Sequence, residues 1–360
     1  MQIIKCARLC LLVAGVFAVH AGFVQAIEQE GAYSNVTGLA QSVQRAVSTH
    51  PQINAALSAL QAQKKQLTVL QAEFLPKISL GLGVGREDSN NTSSRAITGS
   101  GSDEMERRES SIFFRQMLFD GFHTHWMRES LLAEEGAQGL ALRRLAGDVA
   151  LKAVASHLNV MKFNRVLGDH IENLQAHERI AKDVGVRARS GKDDRAKVSQ
   201  ISARLSLSLA NVETAKNNVG TANSEYLNIV GGAPGRTLTS TSGLIPMPEA
   251  MEEFVDEVMT ANLQILSGMQ KAKAASSANI ASRNVDYPSL HIESGASWND
   301  NVDGVSGRNS DAFIMLRMNY SLFNGGADRA SKARAQYLQQ ASDYDLDDIR
   351  RNVRLGAEQA

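Results

Sequence analysis

Phe74-Leu75-Pro76-Lys77-Ile78-Ser79-Leu80-Gly81-Leu82-Gly83-Val84-Gly85 decides the fold of this chain. Pro76 ends whatever helix precedes it, because its ring disfavours helical backbone at the residue before. From Lys77 the pattern switches to period two. Ile78, Leu80, Leu82 and Val84 take one side, and Ser79, Gly81, Gly83 and Gly85 take the other. Successive side chains of an extended segment point to opposite faces. The stretch therefore reads as a strand with one large-apolar face and one small or polar face, which suits a thin wall between lipid and water.

The same design returns later. Tyr287-Pro288 opens a strand from Ser289 to Trp298, where Leu290, Ile292, Ala296 and Trp298 alternate with His291, Glu293, Gly295 and Ser297. Each opening strand is followed by a polar loop, residues 86–110 in the first case, and by a second strand. Residues 111–119 form the first of these, with Ile112, Phe114 and Leu118 on the outer side and Gln116 breaking the alternation. In the second copy Ile314, Leu316, Met318, Tyr320 and Leu322 alternate with Met315, Arg317, Asn319 and Ser321. Both end in Leu-Phe and a turn: Leu118-Phe119-Asp120-Gly121 and Leu322-Phe323-Asn324-Gly325. Trp298 and Tyr320 suit the aromatic belts of a membrane boundary. Half-buried strands of a soluble sheet share this alternation; the duplication favours the wall.

Pro76 and Pro288 stand 212 positions apart, and the same offset lays His50-Pro51-Gln52-Ile53 over Asn262-Leu263-Gln264-Ile265. A helix–strand–strand–helix unit thus occurs twice. Residues 36–74 are expected as its first helix, with Leu57, Leu60, Leu67 and Leu70 at spacings of three and seven. From about His123 to Ser190 there is no proline and apolar residues recur at three and four, as in Leu151, Val154, Leu158 and Met161. Such a helix would be on the order of 100 Å long. Ser190-Gly191-Lys192-Asp193-Asp194 turns the chain, and helix resumes to about Val230. Val198, Leu205, Val212, Val219 and Tyr226 are each seven apart, the repeat of a coiled-coil seam. Helices of 252–284 and about Ala327 to Arg354 complete the second copy.

The expected organisation is a leader over 1–26, a first repeat over 36–235, a linker over 236–251 and a second repeat over 252–360 that is C-terminally truncated. After the Leu-Phe turn, 37 residues remain in the second copy. If the copies match, roughly 75 residues are missing. The leader has Lys5 and Arg8, an apolar run from Leu9 to Val19, and a small-x-small site at Val24-Gln25-Ala26, with Val19-His20-Ala21 competing. Both cysteines, Cys6 and Cys10, lie within it, so a processed chain carries no thiol for disulfide, zinc or nucleophilic chemistry. Formal net charge is zero over 360 residues, which offers no bulk attraction for nucleic acid.

The order, spacing and duplication of these motifs resemble the TolC family of outer-membrane channel proteins. The resemblance covers about residues 36–360. It implies a fold that is mainly α with transmembrane β: long antiparallel coiled-coil helices extending into the periplasm, and four strands per protomer in a trimeric twelve-stranded barrel in the cell outer membrane. It also implies a homotrimer that works with a periplasmic adaptor protein and an inner-membrane ABC transporter or other pump. Met117-Leu118-Phe119-Asp120-Gly121 and the tip near Gly191 look most like the type I secretion branch, which exports proteins such as adhesins. The alternative is the channel of a multidrug efflux pump. Family gate carboxylates would lie beyond Ala360, so none is assigned, and Asp343, Asp345, Asp347 and Asp348 read as a solvated helix face.

On this reading Ile78, Leu80, Leu82, Leu290, Ile292, Leu316, Met318 and Tyr320 are the candidates for facing outer-membrane lipid. Gly191, Asp193 and Asp194 are the candidates for adaptor docking. No cofactor, metal or catalytic residue is expected. Gly81-Leu82-Gly83-Val84-Gly85 lies within a strand pattern, not before a helix, which argues against a dinucleotide loop. His123-Thr124-His125 lacks a clear third ligand. No Ser-His-Asp order or phosphate loop stands out, so the chain reads as no enzyme. A soluble periplasmic coiled-coil adaptor is the competing class, but it would carry one helical hairpin and compact β domains.

Overall fold

The computed structural model describes residues 36–90, 92, 95–96, 103–239 and 250–359. The leader, most of the loop between the first two strands and the linker prolines Pro246 and Pro248 lie outside them. Chain order is β1 (Val36–Gly38), α1 (Leu39–Thr49), α2 (Pro51–Gln71), β2 (Lys77–Ser89), β3 (Asp103–Phe119), α3 (His123–Arg189), α4 (Arg195–Val230), β4 (Thr237–Thr239), α5 (Met251–Ala261), α6 (Leu263–Ala281), β5 (Ser289–Val302), β6 (Val305–Asn319) and α7 (Ala327–Glu358). The chain divides into two compact units, with boundaries after Arg45, Lys152 and Ser242.

Two expected helices are broken, and at equivalent places. His50 has extended backbone and its Nδ1 accepts from the Gln52 N–H, with Pro51 at the first helical position. Asn262 has the same backbone, and its side chain accepts from the Gln264 and Ile265 N–H groups. Each is an N-cap that satisfies donors orphaned at a helix start. His50 and Asn262 are the residues that the 212-residue offset superimposes.

In the first unit α3 and α4 pack along a heptad seam. Val198, Leu205, Val212, Val219 and Tyr226 are half-buried or buried, but a second row, Ile201, Ser208, Ala215 and Ala222, is buried more uniformly. The two rows alternate at spacings of four and three, the a and d positions of a coiled coil. The second row was missed because serine and alanine carry little hydrophobic signal. The partner face of α3 likewise buries Ala153, Ser156, His157 and Val160, whereas Leu151 and Leu158 of the expected stripe are exposed. Small residues let the helices approach closely and leave the larger apolar side chains outward.

A buried polar chain ties this unit together. His157 Nε2 lies 3.2 Å from the Thr239 carbonyl, which can only accept, so Nε2 carries the proton. His157 Nδ1 then accepts from Ser42 Oγ at 2.8 Å, and Ser42 Oγ accepts from the Tyr226 hydroxyl at 2.8 Å. The parallel pair β1–β4 sits beside it, with Val36 opposite Thr237 and Gly38 opposite Thr239. That pair was not foreseen, because three-residue strands leave no periodic signal.

In the second unit the first part of α3 packs against α6, and α6 against α7, again through small residues. Ser130 Oγ donates to the Ala274 carbonyl at 2.9 Å and Ser267 Oγ to the Ala137 carbonyl at 3.0 Å. A Cβ on Gly268 would lie 3.0 Å from Leu346 Cδ1 and 3.2 Å from Ile349 Cδ1. No helix among the described residues is long and apolar enough to cross a membrane.

Burial holds the His157 imidazole neutral, pushing its pKa below the ordinary 6.5, with the Thr239 carbonyl opposing in part. Protonation at Nδ1 would also turn the acceptor of the Ser42 hydrogen bond into a donor. A depressed histidine contributes stability that is present in full above about pH 6.5 and is lost as pH falls toward the folded-state value, where the unfolded chain binds the extra proton. Thermal unfolding of the detergent-solubilised protein should therefore shift to lower temperature between about pH 7.5 and pH 5. His157→Gln should flatten that dependence, and an unchanged slope would refute the assignment.

Candidate channel-forming sheet

The four long strands form one antiparallel sheet in the order β2-β3-β5-β6. Strands β2 and β3 pair from Lys77 opposite Arg115 to Ser89 opposite Asp103. Strands β5 and β6 pair from Ser289 opposite Asn319 to a tight turn at Asp303-Gly304. Between the two hairpins β3 pairs with β5, as Phe114 with Ser294 and Ile112 with Ala296. Strands β2 and β3 run beyond the expected 77–85 and 111–119. The added rungs are charged: Arg86 pairs with Glu104, and Arg107 with Glu87 and Glu109. Ion pairs replace apolar alternation there, so periodicity alone ended the strands too early.

The register sorts the sheet into two faces. One carries Ile78, Leu80, Leu82 and Val84 of β2, Ile112 and Phe114 of β3, Leu290, Ile292, Ala296 and Trp298 of β5, and Ile314, Leu316 and Met318 of β6. Ile78 is 68% exposed, Leu82 76% and Leu316 66%, while Leu290 and Ile292 on the inner strand β5 are half-buried. Tyr320 follows β6 and is also exposed. Gln116, which broke the alternation, faces Ile292 and gives a hydrogen bond to the Phe74 carbonyl at 3.3 Å. Leu118 sits in a bulge between Met117 and Phe119.

The other face carries Ser79, Gly81, Gly83, Gly85, Ser111, Glu109, Arg115, Glu293, Ser297, Asn299, Asp311 and Arg317. Glu293 is buried between two guanidinium groups, with Arg317 Nε at 2.6 Å and Arg115 Nε at 3.5 Å. Ser297 donates to Asp311 across the β5–β6 pair. Among the described residues, β2 and β6 each pair with a strand on one side only.

Strand passes to helix at Phe119-Asp120-Gly121. The Asp120 carboxylate accepts from the Thr124 N–H at 2.8 Å, capping α3. Gly121 has φ +70°, and a Cβ there would meet the Asn284 carbonyl oxygen at 2.8 Å and Tyr287 Cβ at 3.0 Å. The glycine is needed both for its backbone and for its size. Phe119, Phe122 and Tyr287 meet edge to face around it. His123 Nδ1 lies 3.3 Å from the Ala281 carbonyl and His125 packs on Trp126, so the two imidazoles have separate partners.

At the far end of α3, Gly191 takes φ +73° and the Lys192 N–H reaches the Arg187 carbonyl at 2.9 Å. Asp193 pairs with Lys197 at 2.8 Å, which holds its carboxyl below the usual range. Asp194 is the N-cap of α4 and accepts from the Ala196 N–H. Both carboxylates therefore hold the turn itself.

An antiparallel sheet with one apolar face, one polar face and open edges has the character of a membrane wall. The model of the outer membrane efflux protein family matches residues 42–232, and the chain belongs to that family, which places it in the outer membrane with its helices reaching into the periplasm. A curated relative, the outer membrane efflux protein BepC of Brucella suis biovar 1 (strain 1330), is 24% identical over 286 residues, covering 78% of this chain. The aligned region is 60% of BepC, so the chain spans less than two thirds of that relative. Among solved structures CusC matches with a TM-score of 0.71 at 14% identity, over 87% of this chain and 72% of CusC. The CmeC outer membrane channel of Campylobacter jejuni matches with 0.70 at 13% identity, over 86% and 67%. At such identities the likeness is one of fold. Family and fold are those of channels rather than enzymes.

Gly121→Ala should strain the αL backbone and press on the Asn284 carbonyl, costing about 2 kcal/mol or more. The check is the thermal midpoint of the solubilised protein beside Gly325→Ala, whose Cβ would meet nothing within 4 Å. Equal losses in the two variants would contradict the role of close packing at Gly121.

Proposed function

We propose that this chain is the protomer of a trimeric outer-membrane exit duct, in which three copies of the four-stranded sheet close into a twelve-stranded barrel. The supporting observation is a sheet that is greasy on one face, wet on the other and open at both edges. An unpaired backbone group costs several kcal/mol in hydrocarbon. Edge-to-edge closure satisfies β2 and β6 together, and four strands are too few to close alone. The apolar face, with Ile78, Leu80, Leu82, Leu290, Ile292, Leu316, Met318 and Tyr320, then meets lipid. Trp298 lies eight residues beyond Leu290 along the strand, and Tyr320 two beyond Met318, the partner of Leu290. Ten strand steps span roughly 33 Å, or about 25 Å along the membrane normal at ~40° tilt, the height of an outer-membrane apolar band.

The exposed apolar residues of the helices, such as Leu151, Leu158, Leu207 and Leu227, suit burial against neighbouring copies. The duct serves a tripartite assembly with a periplasmic adaptor, docked at the Gly191–Asp194 tip, and an inner-membrane pump. Met117 to Gly121 and the tip support type I secretion of protein cargo. A second reading, the channel of a multidrug efflux pump, is favoured by the efflux description printed for the family and for BepC. The soluble adaptor alternative fits poorly, since it offers no use for four amphipathic strands.

Fractionation of cells expressing the full chain tests the reading. The protein should sediment with the outer membrane and run as an SDS-resistant species that collapses to monomer on boiling. Leu82→Arg with Leu316→Arg should abolish that species, because an arginine on the lipid face costs ~2–4 kcal/mol near the bilayer midplane. A soluble periplasmic monomer from the unmodified chain would refute it.

A further inference from the structure

Two phenylalanines sit on the wrong face for a simple water-lined wall. Phe113 and Phe313 point to the polar side of the sheet, where their neighbours along the strands are Ser111 and Arg115, and Asp311 and Met315. The register puts both at one level, since Phe113 pairs with Gly295 and Gly295 with Phe313. Their ring centroids are 6.3 Å apart at an interplanar angle of 51°. They meet over Gly295, where a Cβ would come 2.8 Å from Phe313 Cε1 and 3.4 Å from Phe113 Cδ2. The glycine leaves room for the rings to close over the strand between them. Phe313 remains 42% exposed. Chance exposure of an apolar residue needs no explanation, but two facing rings with a glycine seat between them form a built feature.

The next level toward the helices carries Arg115 opposite Glu293, and the level beyond it carries Arg317 opposite His291. Arg115 and Arg317 share the single carboxylate of Glu293, and Lys77, in the same row as Arg115, is paired with Glu73 at 2.8 Å. Two guanidinium groups against one carboxylate leave an excess positive charge on the helix side of the rings, while Asp311 lies two residues from Phe313 on the other side. Arg115 stands two residues from Phe113, roughly 7 Å along the strand, and Arg317 four residues from Phe313, roughly 13 Å.

We infer that Phe113 and Phe313 form an aromatic collar inside the duct, and that with Arg115 and Arg317 they make it selective for solutes that combine an aromatic body with a negative charge. This rests on the reading above that the polar face lines the bore of a three-copy barrel. Three copies then place six phenylalanines at one height. Twelve strands ~4.8 Å apart and tilted ~40° give a backbone diameter on the order of 24 Å, and side chains reaching roughly 5 Å inward leave about 14 Å. A hydrated ion meets an apolar wall at that level, whereas an aromatic solute gains ring contacts there and its anionic group reaches the arginines.

The test is conductance of the purified full chain in planar lipid bilayers, with naphthalene-2-sulfonate and a naphthylmethyl-trimethylammonium cation as probes. The unmodified channel should be blocked by the sulfonate at least about tenfold more strongly than by the cation. Phe113→Ser with Phe313→Ser should raise the open conductance about 1.5-fold, by widening the narrow level, and weaken sulfonate block about tenfold. Arg115→Gln with Arg317→Gln should abolish the preference for the anion while leaving the phenylalanine-dependent block of both probes. Retention of the heat-modifiable band shows that each variant is assembled, and Phe313→Leu, a milder change, should give an intermediate block. Sulfonate block unchanged in the phenylalanine variant, or equal block by the two probes in the unmodified channel, overturns the inference. Absence of any unitary conductance refutes the duct itself and takes the collar with it.

Discussion

A backbone N–H or C=O in hydrocarbon has no water to turn to, and that constraint organises the molecule. Strands β2 and β6 offer a row of such groups along their outer edges. A soluble sheet protects its edges with charge, proline or a covering segment. Here the edge strand β2 instead presents Ile78, Leu80, Leu82 and Val84 without a charge among them on that face, and β6 presents Ile314, Leu316 and Met318. Such edges call for a pairing partner, which another copy supplies in the proposed duct. The two-faced alternation and the choice of small residues on the wet side follow from the same wall.

Away from the sheet the governing device is close approach of helices through small side chains. Ser208, Ala215 and Ala222 of α4, Ala153 and Ser156 of α3, and Ser267, Gly268 and Ala274 of α6 occupy the buried rows. A globular core would place leucines there. Leu151, Leu158 and Leu227 instead lie outward as exposed apolar side chains, which the proposed assembly would cover. Within the first unit, packing of this kind supplies little specificity, because small residues slide past one another. The Tyr226–Ser42–His157–Thr239 chain fixes the register of four elements with directional bonds instead.

The strands were legible because period two is a strong local signal and Pro76, Gly121 and Pro288 punctuate it. The duplication was legible too, down to His50 and Asn262, whose shared role as N-caps became clear only from their backbone. What escaped the sequence were features whose chemistry is not apolar. The outer rungs of β2 and β3 are held by Arg86, Arg107 and their carboxylates; the seam row of Ile201, Ser208, Ala215 and Ala222 looks polar or neutral. Phe113, on the face opposite Ile112 and Phe114, acquires meaning only when the register sets it beside Phe313. Of the candidate site residues, Ile78, Leu80, Leu82, Leu290, Ile292, Leu316 and Met318 lie on one face of the sheet, and Asp193 and Asp194 hold their own turn.

The proposed duct depends on closure between the edges of identical copies. Native mass spectrometry of the detergent-extracted full chain measures it most directly. The expected result is a single assembly of three times the protomer mass that persists until the detergent is stripped and the particle is heated. A particle of one protomer mass, with β2 and β6 still unpaired, would contradict it.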